Sequence, residues 1–264
     1  MPTDSLKRIE QCLNKLEGHK AALTLFIPPL TYKGHQPYLL MKQLVEAGAD
    51  ILELGVPFRD PVADGPVIDS LYQSLIKDHI DLDYCLQQVK LFRTLNTETP
   101  VILMSYFNPV LQKGVEAFCQ QAADAGVDGV IIVDYSEDNY ENLFESLNRH
   151  NLDYVPILDA TTGKHSEHFD PAFHYTLSAS STTGSVTPDL SKLMKRMETI
   201  KQPGQRYFVG FGLKSTDDIL QLKDQFDGII IGSELVRRLV EGDELTDICS
   251  FVSGLSQASY GKSK

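Results

Sequence analysis

Short apolar runs recur along the chain at residues 21–27, 51–54, 101–105, 129–134, 154–158, 174–178, 207–210 and 228–231. They are too short for helices and mostly apolar throughout rather than alternating, which is the pattern of parallel strands covered on both faces. Between them, apolar positions fall at helical spacing. Leu39, Leu40, Leu44 and Val45 share one face of a helix expected over 38–47, which Gly48 ends. Further helices are expected over 81–95, 115–125, 138–149, 190–200, 217–225 and 234–240. An additional first helix, capped at Asp4-Ser5 and running to Leu16, carries Leu6, Ile9, Leu13 and Leu16 and stands outside the repeats. Strands alternating with helices imply parallel βαβ units, and eight such strands close into a (β/α)8 TIM barrel. No Pro/Gly/Ser linker or compositional break divides the chain, so residues 1–264 are expected to form one domain. Segment 159–171 is rich in polar residues, and only a short irregular helix is expected there.

Glu53 breaks the apolar pattern of the second strand. A carboxylate among Ile51, Leu52 and Leu54 must find a partner or a proton, and burial raises its pKa toward the range where a glutamic acid moves protons near neutral pH. Just downstream, Pro57, Pro61, Gly65 and Pro66 argue against regular structure, so Asp60 and Asp64 are placed on a loop at the strand's C-terminal end, where parallel α/β proteins build active sites. A structural ion pair for Glu53, and ordinary turn chemistry for Asp-Pro and Asp-Gly, are the alternatives to function. Glycine turns follow the last three strands: Ser180-Ser181-Thr182-Thr183-Gly184, Gly210-Phe211-Gly212, and Gly232-Ser233 opening a helix. In a barrel, such turns present backbone N–H groups to a phosphate.

The composition, 42% hydrophobic and 23% charged, is that of a chain able to bury a large core. A net charge of -12 argues against nucleic-acid and anionic-membrane surfaces, which select clustered Lys and Arg. Cys12, Cys85, Cys119 and Cys249 lack the spacing zinc needs, and His165 and His168 have no third ligand nearby, so no metal is expected. The N-terminus has no apolar targeting core and no segment is long enough to span a membrane, which points to a cytoplasmic protein with reduced thiols.

The run Glu53-Leu54-Gly55-Val56-Pro57-Phe58, then Asp60-Pro61-Val62-Ala63-Asp64-Gly65-Pro66, resembles the signature segment of the tryptophan synthase alpha chain family. Further matches are Tyr106-Phe107-Asn108-Pro109, Ala125-Gly126-Val127-Asp128-Gly129, Asp134 and the three glycine turns, so the resemblance covers nearly the whole chain. It implies retro-aldol cleavage of indole-3-glycerol phosphate to indole and glyceraldehyde 3-phosphate without a cofactor. Glu53 would then make the carbon-side proton transfers, and Asp64 would stabilise and then deprotonate the indole nitrogen. Tyr175 matches the tyrosine near the glycerol group, and Thr183 the loop threonine that touches the aspartate on closure. Gly184, Phe211, Gly212, Gly232 and Ser233 match the phosphate-binding residues. The implied partner is a pyridoxal-phosphate beta chain in an alpha2-beta2 tetramer, docking on the catalytic face that includes Asp60 and residues 106–109.

The chain departs from the family pattern at Arg59, Ala179, Ser181 and Pro28-Pro29. Arg59 is placed to lower the Asp64 pKa or pair with Asp60. Two alternatives stand beside the enzyme: a catalytically weak regulatory subunit that activates the beta chain, and another phospho-sugar barrel enzyme. A Schiff-base aldolase would need a lysine on a strand, and none of the expected strands carries one.

Overall fold

The structure, a computed structural model, describes residues 7–61, 63–134, 141–158, 170–177, 190–210 and 212–261. In chain order its elements are α1 (Arg8–Leu16), β1 (Ala22–Ile27), α2 (Pro37–Glu46), β2 (Ile51–Gly55), α3 (Pro66–Lys77), α4 (Leu82–Arg93), β3 (Val101–Ser105), α5 (Phe107–Lys113), α6 (Val115–Ala125), β4 (Gly129–Ile132), α7 (Glu141–Arg149), β5 (Asp153–Tyr154), β6 (Ile157–Leu158), β7 (His174–Leu177), α8 (Leu190–Ile200), β8 (Tyr207–Gly210), α9 (Thr216–Leu222), β9 (Gly228–Ile231), α10 (Ser233–Glu241) and α11 (Leu245–Ser259).

All strand pairs are parallel, and the sheet runs β5-β4-β3-β2-β1-β9-β8-β7-β6. Its two ends, β5 and β6, are halves of the expected fifth strand over 154–158, split at Val155-Pro156. Proline has no N–H to extend the ladder, so the strand changes neighbours there. Val155 N–H donates to Val130 O of β4 at 2.9 Å, while Pro156 O accepts from Tyr175 N–H of β7 at 2.9 Å. The chain thus bridges both ends of the sheet, and eight strands close the TIM barrel.

Side chains alternate between two cores. Ala22, Phe26, Ile51, Ile102, Met104, Ile131, Tyr175, Phe208 and Ile230 point into the barrel, whereas Leu23, Leu25, Leu52, Leu54, Leu103, Val130 and Val209 pack outward with the helices. Both faces are buried, which explains the continuous apolar runs.

Several expectations need correction. Pro66 does not prolong the loop; it opens α3 at a first-turn position, where proline's missing N–H has no intrahelical acceptor to lose. Residues 107–109, expected as loop, form the first turn of α5. Helix α11 lies beyond the last expected helix, over Leu245–Ser259. The first helix starts at Arg8, later than a cap at Asp4-Ser5 would place it, and those two residues lie outside the described ones, as do 159–169.

Helix α1 closes the N-terminal end of the barrel. Ile9 and Leu13 join the inner core, Arg8 pairs with Asp128 at 2.6 Å, and Lys7 pairs with Asp153 at 2.6 Å. Asp128 also binds Arg93 at 2.6 Å. The opposite, C-terminal end carries the loops and the functional candidates. Among the described residues no helix is long and apolar enough to cross a membrane.

Candidate active site

Glu53 lies in the middle of β2, with Phe26 of β1 and Ile102 of β3 as its register partners. It points into the barrel, is 1% exposed, and neither carboxylate oxygen has a hydrogen-bond partner among the described residues. Burial, reinforced by the charge of Asp64, pushes its pKa up to about 8. A lone carboxyl group in such a place keeps its proton at neutral pH.

Asp64 enters the same pocket from the loop between β2 and α3. Burial raises its pKa to about 6, Tyr106 opposes the rise, and Asp69 adds to it. The Tyr106 hydroxyl donates to Asp64 Oδ2 at 3.2 Å and accepts from Ala63 N–H at 3.1 Å, so one phenol ties down both the carboxylate and its backbone. Phe58 stacks on the Tyr106 ring at 4.9 Å between centroids. The two acids therefore occupy one pocket with pKa values on opposite sides of neutrality, which gives a proton donor and an anion side by side.

Phe26, Glu53, Asp64, Ile68, Met104, Tyr175, Gly212, Leu213, Ile230, Gly232 and Ser233 line this pocket. Six are residues expected to be functional: Glu53, Asp64, Tyr175, Gly212, Gly232 and Ser233. Tyr175 comes from β7, 4% exposed, and its ring lies over Gly210, where a Cβ would stand 2.5 Å from the phenol oxygen. Burial, then the Glu53 charge, raises its pKa well above the usual tyrosine value, so it stays a neutral donor.

Ser233 is the first residue of α10, with Gly232 as its cap, so the first N–H groups of that helix point toward the pocket end. Glu234 follows, but its carboxylate is paired with Arg237 at 2.7 Å and Arg238 at 2.9 Å, which removes its repulsion of an anion. Gly212 has φ +76, a left-handed backbone suited to a tight turn. These features suit a phosphate. Thr183, Gly184 and Phe211 lie outside the described residues, as do Ala179, Ser181 and the His165/His168 pair.

The Arg59 expectation is not met. Its side chain is exposed and makes no ion pair with a described residue; its carbonyl accepts from Gln73 Nε2 at 2.7 Å. Asp64 draws its shift from burial, Tyr106 and Asp69, with no part from Arg59. Sequence reading placed Tyr106 in a docking loop and missed its bond to Asp64, because a contact across 42 residues leaves no local signature. It also missed the apolar lining from Ile68, Met104, Leu213 and Ile230.

A sequence model described as tryptophan synthase alpha chain matches residues 14–254. The chain is 36% identical over 250 residues to the tryptophan synthase alpha chain of Legionella pneumophila strain Lens, covering 90% of each. It is 37% identical over 243 residues to that of Cupriavidus taiwanensis, covering 88% of this chain and 92% of the relative. The fold superposes on the crystal structure of tryptophan synthase subunit alpha from Legionella pneumophila strain Paris with TM-score 0.85, 32% identity, and coverage of 96% of this chain and 98% of the other. The match covers nearly the whole chain in sequence and in fold, and the chain belongs to the tryptophan synthase alpha chain family.

Proposed function

We propose that this chain, a lyase of tryptophan biosynthesis, cleaves indole-3-glycerol phosphate through Glu53 and Asp64, with Tyr175 beside the glycerol group. One observation carries the assignment of roles: two carboxyl groups share a buried pocket, one pushed up to about 8 and the other to about 6. At neutral pH Glu53 is an acid and Asp64 an anion. Glu53 protonates indole C3, while Asp64 accepts the ring N–H and balances the cation that forms on the ring. The resulting Glu53 carboxylate then takes the proton of the adjacent hydroxyl. The bond between C3 and the glycerol chain breaks, its electron pair returns to the ring, and glyceraldehyde 3-phosphate and indole result. Preorganised charge and matched acidity lower the barrier to each proton transfer.

The phosphate is held by Gly212, Gly232 and Ser233, joined by Gly184 and Phe211, and its binding energy orients the substrate against both acids. Thr183 closes onto Asp64 once substrate is bound. The chain works with a tryptophan synthase beta chain; we place them together in a cytoplasmic alpha2-beta2 tetramer in which residues 1–264 form a single barrel domain.

Indole release from indole-3-glycerol phosphate, with and without a beta chain, tests this reading. Turnover that rises with the beta chain is expected. No indole under either condition, with beta-chain activation intact, would mean a regulatory subunit instead.

A further inference from the structure

Gly55 lies two residues beyond Glu53 on the same inward face of β2, at the barrel mouth. A Cβ there would stand 1.9 Å from the Tyr72 hydroxyl oxygen and 2.7 Å from Cε2 and Cζ of Phe26. The space a side chain would fill is thus taken by a phenol from α3 and a ring tip from β1. Tyr72 is 2% exposed, and its hydroxyl has no hydrogen bond to a described residue. Burial, and then the charges of Asp64, Cys85, Tyr106 and Glu53, raise its pKa well above the usual tyrosine value, so it remains a neutral phenol.

Phe26 connects this phenol to the pocket. A Cβ on Gly232 would lie 3.2 Å from Phe26 Cβ, so the base of the side chain adjoins the phosphate turn while its ring reaches toward Gly55. Strand order agrees, since β1 stands between β9 and β2. Beyond Gly55 comes its register partner Met104, another lining residue. The pocket therefore runs from Gly232 and Ser233, along Phe26, to an apolar end at Met104, whose neighbour across the strand pair is Gly55.

Resting on the proposed reaction, a phosphate at Gly232 and Ser233 places the indole at that apolar end. We propose that Tyr72 is a specificity-determining residue: through its contact at Gly55 it holds the Phe26 ring inward and limits the size of the indole ring system the pocket accepts. Tyr72 touches no reacting atom and acts by positioning Phe26.

The test compares kcat/KM for indole-3-glycerol phosphate and a ring-methylated analogue in the wild-type chain, Tyr72→Phe and Tyr72→Leu. One methyl group in an apolar pocket discriminates by about 10- to 200-fold, so relieving the limit should raise the methylated-to-parent ratio by about tenfold in Tyr72→Leu and about threefold in Tyr72→Phe. Affinity for glycerol phosphate, which lacks the ring, should not change. A purely structural role would lower both substrates together and leave the ratio alone. A ratio within about twofold of wild type in folded Tyr72→Leu overturns the inference. If Tyr72→Leu does not fold, an unchanged ratio in Tyr72→Phe overturns it. Absence of indole from the wild-type chain would instead overturn the reaction itself, and the inference with it.

Discussion

Tyr106→Phe removes one oxygen and with it two bonds, the one to Asp64 and the one from Ala63 N–H, of which only the first acts on the acidity of Asp64. With the bond in place, Asp64 is raised to about 6 by burial, and Tyr106 is the group that restrains the rise. A hydrogen bond to a charged acceptor contributes about 1.5–3 kcal/mol, and the 3.2 Å length puts this one at the lower end. Losing it should therefore raise the Asp64 pKa by about one unit, since one unit corresponds to about 1.4 kcal/mol. The sign follows from the role of the anion: cleavage needs ionised Asp64, so the acid limb of kcat/KM must move to higher pH. At pH 6 the ionised fraction falls from about one half to about one tenth, whereas at pH 8 it falls only to about nine tenths. The assay is a pH profile of indole release, with circular dichroism to confirm the fold. An acid limb that stays in place, or a uniform loss at every pH, would refute the reasoning and reduce Tyr106 to a tether for Ala63 N–H.

Stability should fall as pH rises. Glu53 has a folded-state pKa of about 8 against an ordinary 4.5, so between those values the native chain holds a proton the unfolded chain has released. The loss across that window is on the order of 5 kcal/mol, and urea denaturation of Glu53→Gln should show a much flatter dependence and a more stable protein at pH 8. Equal pH slopes in both proteins would contradict this. Ser233→Asp, which sets a like charge at the start of α10, should abolish glycerol phosphate binding by calorimetry with the fold intact; unchanged affinity would move the phosphate elsewhere. Gly212→Ala should weaken the same binding and cost about 1 kcal/mol of stability, because φ +76 strains any residue with a Cβ. A variant as stable and as tight as wild type would speak against that turn.

The barrel was legible because six of the strands, β1 to β4, β8 and β9, are buried on both faces and read as nearly continuous apolar runs. Glu53 was legible for the complementary reason, a carboxylate inside such a run. Helices α3 and α5 were hidden by Pro66 and Pro109, since proline reads as a breaker yet suits a helix's first turn. The split of the fifth strand at Pro156 depends on which neighbours each half meets, a property of closure rather than of local composition. Arg59 invited an electrostatic role by its nearness in sequence to Asp64, but its exposed side chain leaves that role to a tyrosine from another strand's end. Contacts such as Tyr106 on Asp64, or Tyr72 over Gly55, join residues that only the closed barrel brings together.

Cleavage measured in Glu53→Gln tests the account most directly. Glutamine keeps the shape of the buried side chain but can neither give nor take the proton, so kcat should fall by at least the roughly 100-fold typical of lost acid-base catalysis, with substrate affinity within about fivefold because the phosphate turns are untouched. A variant retaining more than about a tenth of wild-type kcat would contradict the assignment of proton transfer to Glu53.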